Sequence, residues 1–486
     1  MLTRSRQTPL AISSSYSGAR VEWRHKYNRL ESTRVALAES HRAYHISLME
    51  LHTEIPSLVS DMFRRPAPLL EELSFYCVDG AQTGCTIPEA LFDGRAPRLS
   101  CLELRSCAMP WNSPAFTHEA LTTLVLHCIL SKPSTAQLLQ FLESAPRLQT
   151  LVLHHCLPPV RGAATQLDKS VTLSHLKVLS LRGIISDCYD FSRYIKLPPD
   201  TAIAIEVVHA DRRYAPNLVA ADLANMIAGF LDSRARSARG SSTDLTKLMI
   251  DESVYWGLRI RLGVASPDPT ASDTSTYDSF LKYDFSIEWA AAPIYCREAT
   301  ARLMTGICAQ LPLDHVRELH VEGRFSVSRR RWLATFGRLQ EVDTVHLVGD
   351  VVYGFLRAFG EQRLEIDSSL LSAAAVVPVV AGASQNRLLP AMTRLTLRLV
   401  DLKSDESRKY LDLLRDGLAA RAAFSSSSSP FKLTIAEDEI QAHFAAEMDR
   451  RIIVEHAFAL PTDEPMGRWA LGPFKEPTIY DDGDLP

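Results

Sequence analysis

The 486-residue sequence has no excess of basic residues and no long apolar run. Its formal net charge is -4, so it supplies no broad positive field for a nucleic-acid backbone. The longest apolar stretch, residues 371–383, is 13 residues long and contains Pro378, whereas a helix that crosses a bilayer needs about 20 residues. We therefore expect no nucleic-acid partner and no membrane span.

Cysteine pairs and a signal-peptide core are also lacking. The nine cysteines include no C-x-x-C, and residues 1–30 contain no apolar core of the secretory type. These absences predict a reducing compartment, cytoplasmic or nuclear. Residues 1–20 hold three arginines, several serines and no acid. That composition fits a mitochondrial transit segment as well as a short basic disordered tail.

Catalytic signatures are absent. The sequence contains no G-x-S-x-G, no G-x-x-x-x-G-K-[ST] and no G-x-G-x-x-G, the motifs of nucleophile elbows and phosphate loops. His41 and His45 have the spacing of two ligands on one helix face, but no further Cys or His pair is near them. His154, His155 and Cys156 are adjacent, and neighbouring strand residues point to opposite faces. The sequence therefore predicts no enzyme, no cofactor and no metal site, with His41 and His45 on a solvated helix.

A leucine pattern recurs along the first half of the chain. Five segments match the template L-x-x-L-x-L-x-x-[C/apolar], and their first leucines are 29, 22, 27 and 28 residues apart. Leucine-rich repeats have periods of roughly 20 to 29 residues. The first leucines of the five segments are Leu70, Leu99, Leu121, Leu148 and Leu176.

Each repeat is predicted to contain a strand and a helix. The second and third leucines of the template alternate with other residues, which is the period of a strand with one buried face. Between two such strands, the segment from Ser134 to Pro146 has a helix cap, leucines at helical spacing and a terminating proline. We therefore predict an α/β leucine-rich-repeat solenoid, a horseshoe with a mainly parallel sheet on its concave side and helices on its convex side. The alternative is a doubly wound sheet, which favours fully apolar strands.

The pattern becomes irregular after residue 185. Weaker copies begin at Leu245, Val316, Val342 and Met392, and amphipathic segments lie near them. Stretches rich in Gly, Pro, Ser and Asp predict loops at residues 234–243, 265–279 and 425–429. The predicted organisation is a poorly ordered or helical segment at 1–44, an irregular leucine-rich-repeat solenoid at 45–460, and a disordered tail at 461–486.

Several of these segments resemble a known family. PAPLLEELSFYCVDG, LFDGRAPRLSCLELRSCAMPW, LLQFLESAPRLQTLVLHHC and LRDGLAARAA are similar to the F-box and leucine-rich-repeat-like proteins of mushroom-forming fungi. The resemblance implies an intracellular protein–protein interaction scaffold, akin to the substrate-recognition part of an F-box ubiquitin-ligase receptor. Such receptors dock a Skp-type adaptor through an N-terminal F-box. No LPxEIL-type opening precedes residue 45, so adaptor binding is expected only if an F-box is supplied. The alternative is a divergent or decayed paralogue with no ubiquitin-ligase role.

The seventh template position supplies the candidate binding residues. If the leucines at positions four and six face the core, the seventh residues face outward on the concave sheet. With strands about 4.8 Å apart, they would form one row about 19 Å long. We name this set the seventh-position row; its members are Tyr76, Arg105, His127, His154 and Arg182.

Four of these five residues can carry positive charge. The row is therefore predicted to bind a protein target that presents acidic or phosphorylated side chains. Arg and Tyr are frequent anchors at interfaces. Such binding would weaken with salt and tighten as the pH falls through the histidine range near 6.5. The alternative is a solvated polar surface that binds nothing.

Overall fold

The computed structural model describes most of the predicted repeats. The described residues are 8–15, 31–51, 65–77, 86–87, 89, 91–112, 119–159, 169–209, 223, 225–227, 229, 245–253, 257–263, 281–289, 296–311, 313–323, 325, 327–360, 388–398, 405–424, 431–435 and 452–456. The predicted loops at 234–243, 265–279 and 425–429 and the predicted tail at 461–486 lie outside them.

The chain divides into two compact units, with the main boundary between Glu206 and Val207. The elements of the first unit are β1 (Leu10–Ser15), β2 (Ala43–Leu51), β3 (Glu72–Cys77), β4 (Cys101–Arg105), β5 (Thr123–His127), α1 (Thr135–Glu143), β6 (Thr150–His154), β7 (Val171–Thr172), β8 (Val178–Gly183), α2 (Ile185–Ser192), β9 (Ile195–Lys196) and β10 (Ala202–His209), the last of which crosses the boundary. Residues 31–37 are also helical.

The strands of the first unit follow one another across the sheet in the order β1-β2-β3-β4-β5-β6-β8-β10. The pairings from β1 to β8 are all parallel. β1 falls in the segment 1–44, for which the sequence predicted helix or poor order. Residues 31–37 are helical as predicted, whereas the strand at Leu10–Ser15 is not foreshadowed by the template.

The entry into each strand has the same backbone geometry in successive repeats. The N–H of Leu99 donates to the carbonyl of Ala96 at 3.1 Å, and the N–H of Leu148 donates to that of Ala145 at 3.2 Å. The first leucine therefore closes a tight turn after A-P-R. The next two residues both donate to one carbonyl of the preceding repeat, as Thr122 and Thr123 do to Ser100 at 2.8 and 2.9 Å.

The exit from each strand is equally regular. Ser106, Cys128 and His155, at the eighth template position, have φ of 49°, 49° and 55°. This left-handed conformation is uncommon for residues other than glycine. Each of the three uses its N–H to reach the next strand, donating to the carbonyls of His127, His154 and Arg182 at 2.9, 2.8 and 2.7 Å. These bonds fix the phase of one repeat against the next.

The template leucines form the core, as predicted. Leu104, Leu126 and Leu153 have 0% of their surface exposed. The helix predicted after Ser134 is α1, whose first turn is stabilised by a capping box between Ser134 and Gln137. Burial of one face of every strand against such residues gives each repeat a stabilising contact that a lone repeat lacks.

The second unit begins with an antiparallel meander and continues with parallel strands. Its elements are β11 (Lys247–Ser253), β12 (Gly257–Gly263), β13 (Leu281–Trp289), α3 (Cys296–Gln310), β14 (Glu318–Glu322), α4 (Arg329–Phe336), β15 (Thr344–Val348), α5 (Val351–Gly360), β16 (Arg394–Arg398), α6 (Asp405–Phe424), β17 (Phe431–Ile435) and β18 (Ile452–His456). Their strand order is β13-β12-β11-β14-β15-β16-β17-β18. The β11–β12 and β12–β13 pairs are antiparallel, and the pairs from β11–β14 through β17–β18 are parallel.

The weaker repeats predicted at Leu245, Val316, Val342 and Met392 are strands β11, β14, β15 and β16. They keep the hydrogen bonds of the first unit: the N–H groups of Arg317 and Glu318 both donate to Thr246. Glycine occupies the eighth position after β14 and β15, and the N–H of Gly349 (φ 85°) donates to the carbonyl of Arg398. The repeat geometry is therefore present in both units.

Two features differ from expectation. β12 and β13 form an antiparallel insertion that the template does not predict. His45 lies in β2 and His41 in a short 3-10 turn, so the prediction that both lie on a helix was wrong. The mixed α/β class with a mostly parallel sheet and helices is confirmed.

Candidate functional site

The structure aligns the seventh-position row in strict register. Tyr76 lies opposite Arg105, Arg105 opposite His127, His127 opposite His154, and His154 opposite Arg182. The residues belong to β3, β4, β5, β6 and β8, which are consecutive in the sheet. Parallel strands that enter and leave at equivalent positions bring equal template positions together. The five residues that the sequence predicted therefore do form one row.

The row lies on the face of the sheet away from the leucine core, which we call the polar face. In β4, Leu102 and Leu104 are buried, while Cys101, Glu103 and Arg105 are half-buried. The same alternation occurs in β5. The row members are half-buried because large side chains stand side by side and cover one another.

Arg105 is held by a carboxylate of its own strand. Its Nε donates to Oε1 of Glu103 at 2.8 Å, and a second guanidinium nitrogen contacts the same oxygen. Ser74 of β3 donates to the other carboxylate oxygen of Glu103 at 3.3 Å. Only 20% of the Arg105 side chain is exposed. The ion pair is therefore largely shielded from solvent, and salt screens its attraction weakly.

Arg182 has an equivalent partner at the other end of the row. One of its guanidinium nitrogens lies 3.1 Å from Oε1 of Glu206 in β10. The two arginines are three strand spacings apart, which is about 14 Å. Each end of the row therefore carries an arginine–glutamate ion pair, and the four charges sum to zero.

The centre of the row is a pair of imidazoles. The rings of His127 and His154 meet edge to face, with centroids 4.4 Å apart. Nε2 of His154 and the hydroxyl of Ser180 are 2.9 Å apart and share a hydrogen bond. Val152, two residues before His154 in β6, is almost completely buried although it lies on the polar face. The centre of the row therefore consists of two imidazoles in contact, one of them hydrogen-bonded to a serine.

Both imidazoles are neutral in the free protein. Burial lowers the pKa of His127 to about 3, with Arg105 the next contributor. Burial likewise lowers the pKa of His154 to about 2, and His127 and Arg182 act in the same direction. In the free protein these two imidazoles therefore do not gain protons near pH 6.5, in contrast to the expectation from the sequence. Burial beside two arginines, which sequence spacing does not show, is the cause. That partner binding depends on pH stays a prediction.

The predicted positive charge of the row is corrected in the same way. Of the four members that can be cationic, the two histidines are neutral and the two arginines are paired with glutamates. The charges of Arg105 and Arg182 still act on the centre of the row, because after burial both arginines contribute to the lowered pKa of both imidazoles.

Cys101 lies two residues before Glu103 on the polar face. Burial raises the pKa of its thiol to about 11, and Glu72 and Glu103 act in the same direction. A protonated thiol is a poor nucleophile and a poor metal ligand. Cys156, the buried end of the His154–Cys156 run, contributes to the core as predicted, with 1% of its surface exposed.

The polar face of the second unit carries an ion-pair network that the sequence reasoning missed. Arg259 of β12 donates to both carboxylate oxygens of Asp284 in β13 at 2.9 and 2.7 Å, and Arg261 pairs with Asp251 of β11. Both carboxylates are buried. Burial raises the pKa of Asp251, against the opposing effect of Arg261 and Arg259. Alternation of Leu258, Ile260 and Leu262 with these arginines is the signal that predicts the strand.

Among the described residues, no group of three or more His, Cys, Asp or Glu side chains is arranged to hold a metal ion. Within the same part of the chain, no helix has both the length and the apolar character needed to cross a bilayer. Comparison with protein-family models and with curated proteins gave no match.

Proposed function

We propose that this chain is a leucine-rich-repeat scaffold that binds a protein partner through the seventh-position row. The observation that carries the proposal is the alignment of five large, chemically varied side chains on adjacent strands. Each strand is held in phase by the entry and exit hydrogen bonds of its repeat. A rigid sheet presents these side chains at low entropic cost, which favours recognition by a partner surface.

The partner that fits best presents acidic side chains. A carboxylate over the imidazole pair lies between Arg105 and Arg182, whose field reaches that point. It can accept hydrogen bonds from the imidazole N–H groups, and charge-assisted bonds are stronger than neutral ones. Tyr76, at one end, adds an aromatic anchor of the kind enriched in interfaces.

The repeat style suggests the cellular setting. We infer a horseshoe-type leucine-rich-repeat receptor, similar to the substrate-recognition part of an F-box ubiquitin ligase. The regular backbone bonds of both units and the resemblance of the repeat segments support this proposal. Recruitment of a Skp-type adaptor is expected only when an F-box is supplied. A leucine-rich-repeat protein with no ligase role would use the same row in the same way.

The test is reversal of the two arginines. Arg105→Glu with Arg182→Glu should abolish recovery of partners that the native protein recovers from a cell extract. Arg98→Glu with Arg147→Glu is the matched control, because these arginines are exposed and precede the first leucines of two repeats. Arg105→Gln with Arg182→Gln serves if the reversed pair, placed beside Glu103 and Glu206, does not fold. Equal recovery by the row variants and the control, from folded proteins, contradicts the proposal.

A further inference from the structure

Arginines on the polar faces of the two units fall into two groups. The first group is paired with carboxylates on the same face, and its members are Arg105, Arg182, Arg259 and Arg261. The second group consists of Arg394 and Arg398 of β16, which have no carboxylate within ion-pair distance among the described residues. These two cations lie on one face of one strand, because they are four residues apart.

A third cation lies beside them. Lys432 of β17 is directly opposite Arg394 in the register of the two parallel strands. Cations placed directly opposite one another in a sheet repel and destabilise the pairing. Arg394 is exposed, and Arg398 and Lys432 are half-exposed. We call these three residues the β16 cation cluster.

The side chains next to the cluster on the same face are mainly uncharged hydroxyl groups that can donate hydrogen bonds. Thr344 and Thr396 lie next to Arg394 and Arg398 on the same face, and Thr434 lies opposite Thr396. Burial lowers the pKa of the neighbouring His346, so this imidazole is neutral.

Two carboxylates approach the cluster from the side of β15. A hydrogen bond with His320 is the main cause of the lowered pKa of Glu322 in β14, and the charge of Arg398, two strands away, acts in the same direction. Asp343 accepts a hydrogen bond from Thr344 at 2.6 Å. Neither carboxylate forms an ion pair with Arg394 or Arg398, so the field of the two guanidinium groups remains available to a ligand.

We propose that the β16 cation cluster binds an acidic segment of a protein partner. Arg394 and Arg398 are about 13 Å apart along β16, the distance between residues i and i+4 of an extended peptide. Carboxylates at that spacing meet both guanidinium groups, and the threonine hydroxyls between them can bind the peptide backbone.

A protein partner fits better than a nucleic acid. The cluster is short. Two other cations on the same face, Lys247 and Arg261, are paired with the carboxylates of Glu318 and Asp251 and do not extend it. Proteins that bind a phosphate backbone usually present a longer stripe of cations along it. This site is separate from the seventh-position row, and either one can fail without the other.

The experiment measures binding of a fluorescein-labelled oligoglutamate peptide by fluorescence anisotropy. The native chain should bind the peptide, with an affinity that falls as salt is added. Arg394→Gln with Arg398→Gln should weaken binding by about tenfold or more, since two charge-assisted contacts are lost. The matched control Arg98→Gln with Arg147→Gln, which removes the same charge elsewhere, should leave the affinity unchanged. Because the seventh-position row is also proposed to favour acidic ligands, adding Arg105→Gln and Arg182→Gln to the cluster variant should weaken the remaining binding further, which separates the contributions of the two sites.

Three outcomes overturn the proposal: no binding by the native chain, equal weakening by the cluster variant and the control, or tighter cluster-dependent binding of a single-stranded oligonucleotide than of the peptide. The single variant Arg394→Gln keeps the test valid if the double variant does not fold, because this exposed side chain forms no ion pair with a carboxylate in the part of the chain that the structure describes.

Discussion

Stability should fall as the pH drops below the histidine range, because His127 and His154 are kept neutral by the fold. In the unfolded chain both imidazoles titrate near the ordinary value of about 6.5. In the folded chain their pKa values are lowered to about 3 and about 2. Above about pH 6.5 both states are neutral at these residues, and the two histidines make no pH-dependent contribution.

Below that pH only the unfolded state takes up protons, so the free energy of unfolding decreases with each step toward acid. The loss is about 1.4 kcal/mol per histidine per pH unit, and it continues until the pH reaches the folded pKa. Between about pH 7.5 and about pH 5.5, the two histidines together should lower the free energy of unfolding by about 3 kcal/mol.

The assay is urea unfolding followed by circular dichroism at the two pH values. His127→Gln with His154→Gln should reduce the acid-induced loss by about 3 kcal/mol relative to the native chain. Burial also lowers the pKa of His155 and His346, so part of the loss remains. His175→Gln replaces an exposed histidine and is the control. Its free energy of unfolding should decrease between the two pH values by as much as that of the native chain. An unchanged loss in the double variant refutes the inference that the fold holds these imidazoles neutral.

Two further predictions concern packing and backbone conformation. Leu104→Ala and Leu153→Ala should each lower the free energy of unfolding by about 2 to 5 kcal/mol, because both side chains are fully buried; a change below about 0.5 kcal/mol at both sites in urea titrations would reject the register. Gly349→Ala should lower the melting temperature, because its φ is 85° and a Cβ there would lie 2.7 Å from the carbonyl oxygen of Gly323. Gly306→Ala, in helix α3 with open space around the added Cβ, should not, and equal melting of the two variants would refute this reasoning.

The row could be predicted from the sequence because its geometry depends on the template alone. Once Leu104 and Leu126 are placed on one face, Arg105 and His127 must follow on the other, and the equal phase of parallel repeats sets them side by side. The core of the first unit was predictable for the same reason. No measurement of side-chain contacts is needed for either conclusion.

The electrostatic character of the row could not be predicted in this way. Glu206 lies in β10, which does not match the template, so its ion pair with Arg182 has no signature in the spacing. The neutrality of His127 arises from burial next to a second imidazole and two arginines, which depends on rotamers. The insertion β12–β13 could not be predicted from the template, because its strands lack the repeat leucines and pair antiparallel. The alternation of apolar residues with Arg259 and Arg261 was the available signal for β12.

The central proposal, that the seventh-position row is a binding surface for a protein partner, is tested most directly by site-specific crosslinking. A photo-crosslinking residue at Tyr76 and one at Arg98 sample the row and an exposed position outside it. The row position should give a crosslinked partner that disappears when Arg105→Glu and Arg182→Glu are added, while the Arg98 position gives none. Crosslinks of equal yield from both positions, or a Tyr76 crosslink that survives the double reversal in a folded chain, would contradict it.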